Sequence, residues 1–189
     1  MDRRQRTTLR ILDAAAATFA RAGYAGTSME DVAAAAGVSK LLLYRDFAGK
    51  KELYEAVLVR TTDRLTAVPL APVAGAVHAL LAVTRTDPDG YALLVRHAAR
   101  EPDFAEHTQA LMNLTRTAVE GQLRPLDPDP VLRAWAADTG VRLMAEALLS
   151  WLQHGDPQHD DEFCRRLLSS LRALAGPPAA VEPDAITDH

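Results

Sequence analysis

The sequence predicts an all-α protein of about nine helices, with an N-terminal three-helix helix-turn-helix unit and a helical C-terminal body. Three observations carry this. Alanine and leucine dominate while runs of β-branched residues are missing. Apolar side chains recur at helical spacing, not in strand-like alternation. Turn-forming clusters then divide the chain at 23–26, 37–39, 48–49, 69–72, 87–90, 101–103, 125–130 and 155–157.

The first helix is expected over about 7–22, where Leu9, Leu12, Ala16 and Phe19 share one apolar face. A basic arm of Arg3, Arg4, Arg6 and Arg10 precedes and overlaps it. Thr27, with Glu30 three residues on, can form a capping box for a short alanine-rich helix ending at Ala36. Gly37 stops that helix, because glycine takes a left-handed conformation at little cost. Val38 can plug the turn, and Ser39 caps a second short helix from Lys40 to Phe47. Gly49 leads into a fourth helix that opens on Lys50-Lys51-Glu52 and bridges to about residue 66.

Residues 73–124 read as three helices, and a long one follows over 131–154. The last helix offers Phe163, Leu167, Leu171 and Leu174 on one face. The expected organisation is therefore 1–54 as the helix-turn-helix domain, 55–176 as a helical C-terminal domain, and 177–189 as a disordered tail too poor in apolar residues to pack.

Charge places any polyanionic partner at the amino end. Residues 1–64 carry 11 Lys/Arg and 8 Asp/Glu, a net +3, whereas residues 65–189 carry 10 and 17, a net −7. The overall charge of −4 argues against a protein that coats nucleic acid indiscriminately. No apolar run approaches the roughly 20 residues needed to span a bilayer, and no secretory leader is evident, so a soluble cytoplasmic protein is expected. Cys164 is the single cysteine, which excludes an intrachain disulfide and reads as a small buried side chain.

Two short helices joined by a glycine-started turn fit helix-turn-helix geometry, in which the second helix enters a major groove N-terminal end first. Its exposed positions would be Lys40, Leu41, Tyr44 and Arg45, with Leu42 near the base edges, while Leu43 and Phe47 face inward. Lys50 at a helix N-terminus suits a phosphate. On spacing alone, an ordinary helical hairpin remains the alternative.

The resemblance is more specific than the spacing. Arg10-Ile-Leu-Asp-Ala-Ala, Phe19-Ala-Arg-Ala-Gly23-Tyr24, Gly26-Thr-Ser-Met-Glu-Asp-Val through Gly37-Val38-Ser39-Lys40, Leu43-Tyr44-Arg45-Asp46-Phe47 and Lys50-Lys51-Glu52-Leu53-Tyr54 together resemble the TetR family of bacterial regulators. The resemblance implies phosphate contacts from Thr27, Tyr44 and Lys50. It also implies base or sugar-phosphate contacts from Lys40, Leu41, Leu42 and Arg45, with Ser39 at their cap; phosphate contacts position and base contacts specify. Two positions depart from the family pattern. Asp46 stands where histidine or an aromatic is common, so it would pair with Arg45 or Lys50, or accept from cytosine N4. Leu41-Leu42 replaces a small residue followed by threonine, which implies methyl or sugar contacts.

The resemblance also implies that 55–176 is a ligand-binding and dimerisation domain, with a cavity mostly apolar and holding a few polar groups. Candidate lining residues are His78, Tyr91, Arg96, His97, Phe104, Met112, Trp135 and Met144. Asp138, Arg142 and Glu146 suggest an ion-pair ladder along the long helix, on a solvated stripe or at a dimer interface. A two-fold four-helix interface is expected from Leu148, Leu149 and Leu152 with Phe163, Leu167, Leu171 and Leu174. Expected partners are double-stranded operator DNA, a second copy of the chain and a small-molecule effector, with no membrane.

No catalytic constellation is present, so no enzymatic activity, cofactor or metal is expected. His154 and His159 beside Asp160-Asp161-Glu162 read as solvated residues at a helix start rather than as metal ligands. The reading is a ligand-responsive repressor, released from a palindromic operator by a small, largely apolar molecule. The alternative is an architectural or partner-recruiting DNA-binding protein without an effector, suggested by an aromatic content of only 5%.

Overall fold

The computed structural model describes residues 2–98, 101 and 103–176, with only the backbone of His107; the tail 177–189, expected to be disordered, lies outside the described residues. Among the described residues nine α-helices run in chain order: α1 (Arg3–Ala22), α2 (Met29–Ala36), α3 (Lys40–Asp46), α4 (Lys50–Thr66), α5 (Val73–Thr86), α6 (Pro88–Ala92), α7 (Ala105–Leu123), α8 (Pro130–His154) and α9 (Asp160–Leu174). A π-helical turn, Leu93–His97, continues α6, and a short 3₁₀ turn, Pro157–His159, precedes α9. No strand occurs among the described residues.

Helix α1 starts four residues earlier than the apolar pattern implies. Asp2 caps it, and the Gln5 side chain accepts the Asp2 N–H in return at 3.0 Å. Arg3, Arg4, Arg6 and Arg10 are therefore helical residues and not a loose arm. The box on α2 is also one residue displaced from the expected Thr27–Glu30. Ser28 accepts the Asp31 N–H at 3.1 Å, and Asp31 accepts the Ser28 N–H at 2.9 Å. Such a cap is worth about 1 kcal/mol. Gly37 takes the left-handed conformation at φ 61 that closes α2, and Ser39 accepts the Leu42 N–H at 3.2 Å to open α3.

The amino-terminal core forms where the buried face of α1 (Ile11, Leu12, Ala15, Ala16, Phe19) meets Val32 and Ala33 of α2, Leu43 of α3 and Leu53, Tyr54 and Val57 of α4. The alanines of α2 let α1 lie close on it. Helix α4 also touches α5, α6 and α7, so it belongs to both ends of the molecule. In the C-terminal body α8 packs between α7 and α9, and α9 also lies on α5.

Asp87 ties these parts together. It caps α6 by accepting the Gly90 N–H at 3.1 Å, and its other oxygen accepts from Arg60 at 3.0 Å and Arg64 at 2.8 Å, both on α4. Arg60 also donates to Asp13 of α1 at 2.6 Å. A Cβ at Gly90 would lie 2.5 Å from the Thr61 hydroxyl, so only glycine lets α6 approach α4 this closely. The Asp87-Pro88-Asp89-Gly90 run is thus a helix cap with an arginine clamp.

Candidate nucleic-acid interface

Helix α3 is held from behind and open in front. Leu43 and Phe47 are buried in the amino-terminal core, which fixes the rotation of the helix about its axis. That rotation turns Lys40, Leu41, Tyr44 and Arg45 outward, with Leu41 83% exposed. Leu42 is half-buried at the edge of a cleft of about 870 Å³, whose wall includes Arg3, Arg4, Arg6 and Arg10 of α1 and Arg45 of α3. Five guanidinium groups against the one Asp2 carboxylate make the lining of this concavity predominantly cationic.

Asp46 sits behind this cleft with its side chain only 4% exposed. Arg45 grips it through two hydrogen bonds, Nε to Oδ1 at 2.9 Å and Nη2 to Oδ2 at 3.3 Å, and Arg4 approaches at 3.7 Å. The Arg45 hydrogen bonds, aided by the Arg45 and Arg4 charges, hold the Asp46 carboxyl below the ordinary carboxylate range. Of the partners expected for Asp46, the structure selects Arg45 and adds Arg4. The carboxylate links α3 to α1 through Arg4. Lys40 pairs with Glu30 of α2 at 2.6 Å, which likewise keeps that carboxyl ionised.

Two of the other sequence candidates stand differently from expectation. Thr27 is buried, and its hydroxyl donates to the Gly23 carbonyl at 2.9 Å, so its side chain is spent inside the α1–α2 loop. Ser28, one residue on, takes the cap that Thr27 was expected to hold. Lys50 is half-buried, donates to the Tyr24 carbonyl at 2.9 Å and lies 4.5 Å over the Tyr24 ring. The N-terminus of α4 beside it has no side-chain cap, since Gly49 occupies the cap position. The first N–H groups of α4 are therefore left for an outside acceptor.

The C-terminal body holds two adjoining cavities of about 440 and 100 Å³. Among the candidate lining residues, Tyr91 and Met112 border the smaller cavity and Met144 borders both. The others are elsewhere. His78 is exposed, 3.7 Å from Asp161; Arg96 is exposed and donates to Gln153 at 2.8 Å. His97 lies against the α1 end at Gly23, and Trp135 is 54% exposed. Phe104 is buried against Tyr54, ring centroids 4.4 Å apart, in a cluster with Tyr24 and Phe19. The walls are aliphatic, so a search for polar and aromatic residue types missed Leu80, Val119, Leu123, Val141 and Leu168.

Three of the seven residues expected at a two-fold interface lie inside the protomer, and the other four are partly buried. Leu148, Leu149 and Leu167 belong to the core of the protomer, where they close the body against α5, α6 and α9. Leu152 and Phe163 are partly buried against that core, and Phe163 stacks on Trp151 at 4.6 Å. Leu171 and Leu174 press on α8 at Gly140. The apolar surface that stays open on α8 is instead Val131, Leu132, Trp135 and Leu143. Arg142 pairs with Asp138 at 2.9 Å, both on the solvent side, and Glu146 joins no ion pair among the described residues. No helix is long and apolar enough to cross a membrane, and no cluster with metal-ligand composition occurs, among the described residues.

Comparison with known proteins agrees with this geometry. The profile described as "Bacterial regulatory proteins, tetR family" matches residues 11–57, which spans most of α1 through the middle of α4. The HTH-type transcriptional activator FasR of Mycolicibacterium smegmatis is 47% identical over 55 residues; the match covers 29% of this chain and only 25% of FasR. The HTH-type transcriptional regulator RutR of Escherichia coli is 31% identical over 147 residues, covering 67% of this chain and 69% of RutR. Among solved structures, a TetR-like transcriptional regulator from Rhodococcus sp. RHA1 superposes with a TM-score of 0.73 at 22% identity, over 94% of this chain and 100% of that one. A match to RutR over two thirds of both chains, with the α2–α3 reading-head geometry beneath it, means that this chain belongs to the TetR family of bacterial regulatory proteins.

Proposed function

We propose that the chain is a ligand-responsive transcriptional regulator that binds a palindromic operator as a homodimer and leaves it when a small, largely apolar molecule fills the C-terminal cavity. The observation that carries this is the open face of α3: Lys40, Leu41, Tyr44 and Arg45 project from a helix whose other side is locked into the core, beside a cleft lined with arginine. A helix so presented fits a major groove, and the α1 arginines beside it reach the flanking backbone.

The unit that reads DNA comprises residues 1–54, and α4 carries the chain into the sensing and pairing body over 55–176. Pairing uses the open stripe of α8, Val131, Leu132, Trp135 and Leu143, with the outer side of α9 beside it. Burying these side chains against their two-fold copies stabilises the pair by roughly 25 cal/mol per Å². Such a dimer can set two recognition helices about 34–36 Å apart, one DNA turn. Repression needs only occupancy of the promoter, whereas activation needs a further contact with the transcription machinery. The cavity of about 440 Å³ supports a sensor over a purely architectural protein, because its size and largely apolar lining suit a small apolar ligand.

Capture and sequencing of genomic fragments bound by the purified protein, followed by anisotropy titration on the enriched site, tests the reading. Tyr44→Phe and Lys50→Ala should weaken binding to all sequences alike and flatten the salt dependence. Leu41→Ala and Arg45→Ala should change sequence preference instead. Absence of any palindrome-dependent binding at moderate salt refutes the proposal.

A further inference from the structure

The geometry points to a single-chain amphiphile with an anionic head as the ligand of the C-terminal cavity, its head at Arg172 and its tail running inward to Tyr91. This rests on the sensing function proposed above and names the chemistry of that site. The larger chamber, about 440 Å³, lies among α5, α7, α8 and α9, and the smaller, about 100 Å³, continues from it. Leu70, Leu80, Thr115, Val141 and Met144 border both, so the space is one tapering volume, wide toward α9 and narrow toward α6.

The polar groups on this path are already engaged. The Thr115 hydroxyl donates to the Leu111 carbonyl at 2.9 Å, the Gln122 amide donates to the Leu70 carbonyl at 3.0 Å, and the Tyr91 hydroxyl donates to the Ala145 carbonyl at 3.1 Å. The narrow end thus presents an apolar lining whose hydroxyls are already engaged, so a charged or strongly polar head gains no partner there. A saturated tail needs none and gains burial.

Charge in the wall is confined to one place. Arg172, exposed on the last turn of α9, is the sole charged residue of the larger chamber's wall among the described residues. Arg165 and Arg166 on the same helix are held by Glu162, and Arg85 is held by Asp160, but no ion pair involves Arg172 among the described residues. A guanidinium at the wide end that joins no ion pair among the described residues, with no carboxylate in the described wall, favours an anionic head over a cationic one. The wall does not distinguish a carboxylate from another singly charged head.

Calorimetric titration of the full chain with dodecanoate, dodecan-1-ol and dodecylammonium, each below its micelle concentration, tests the assignment. Dodecanoate should bind most tightly. Arg172→Gln should weaken dodecanoate about tenfold or more and leave dodecan-1-ol unchanged, and Arg172→Lys should recover part of the loss. Arg172 is exposed, so these variants leave the fold intact. Failure of all three probes to bind, equal affinity for acid and ammonium, or an unchanged dodecanoate affinity in Arg172→Gln overturns the inference. Arg172-dependent, acid-selective binding that leaves operator affinity unaltered upholds the ligand class and overturns the effector function instead.

Discussion

Replacing Asp87 by alanine should cost about 3–4 kcal/mol of unfolding free energy, far more than its position as the single residue between α5 and α6 implies. The magnitude follows from what the carboxylate holds. Its side chain is 8% exposed, and that of Arg60 is 10% exposed. Removing one member of a buried pair costs about 3–5 kcal/mol, because the remaining charge is left in a poor environment. Here the lower end applies, since Arg60 keeps its 2.6 Å contact with Asp13 at the solvent edge. Loss of the α6 cap on the Gly90 N–H adds about 1 kcal/mol. Asp87→Asn keeps a capping oxygen and removes only the charge, so it should cost roughly half as much. Urea unfolding at fixed protein concentration measures both, and for a chain of this length about 3 kcal/mol lowers Tm by roughly 10 °C. A cost below about 1 kcal/mol for Asp87→Ala, or equal costs for the two variants, refutes the assignment of Asp87 as the α4–α6 clamp.

The site and the far end of the body give two further tests. Asp46→Asn removes the charge that Arg45 and Arg4 share; it should broaden sequence preference in a binding-site selection while changing Tm by only a few degrees, and an unaltered preference would show that Arg45 does not depend on its brace. Asp160 is held below its ordinary value of 3.8 chiefly by its hydrogen bonds from Arg85, with a further one from the Trp151 indole at 2.8 Å. Its folded-state pKa is depressed, so its stabilising contribution is complete above the unfolded value and is lost as pH falls through the folded value. Stability should therefore drop below about pH 4 more steeply in the wild type than in Asp160→Asn, with Trp151 fluorescence as the reporter; parallel pH profiles would contradict the Arg85–Asp160 coupling.

The parts of the molecule legible in its sequence are those governed by local rules. The outward set of α3 and the inward pair Leu43 and Phe47 follow from helical periodicity, and the α2–α3 turn follows from Gly37 and Ser39. Where two local solutions compete, tertiary contacts decide. Thr27–Glu30 and Ser28–Asp31 both satisfy the spacing of a capping box, and burial of the Thr27 hydroxyl under α1 selects the second. Most of the cavity wall is not legible, beyond Tyr91, Met112 and Met144, because periodicity marks which side of a helix is apolar and not where several apolar sides fail to meet. Leu148, Leu149 and Leu167 satisfy any test for an apolar face, yet they fill the core of one protomer, while Val131, Leu132 and Trp135 at the start of the same helix stay open. Nothing local separates these two sets; only the position of α5 and α9 does.

One short element connects the two ends of the proposed mechanism. Helix α6 carries Asp87, clamped to α4 and through Arg60 to α1, and Tyr91, which borders the inner cavity and donates to the Ala145 carbonyl of α8. Three residues thus separate Tyr91, in the wall of the proposed ligand site, from the clamp at Asp87. A ligand whose tail displaces Tyr91 must either break its bond to α8 or carry α6 with it, and α6 cannot move without straining the arginine pair on α4. Helix α4 is 17 residues long, about 25 Å, with Lys50 at its far end on the Tyr24 loop. A tilt of about 5° over that length moves the Lys50 end by roughly 2 Å, enough to break hydrogen bonds that tolerate only a few tenths of an ångström. In a two-fold dimer both heads shift together, so the spacing between recognition helices changes by up to twice that amount. Occupancy of the cavity without contact at Tyr91 transmits nothing by this route, and for this reason the reach of the tail, more than its affinity, should decide whether a ligand releases DNA.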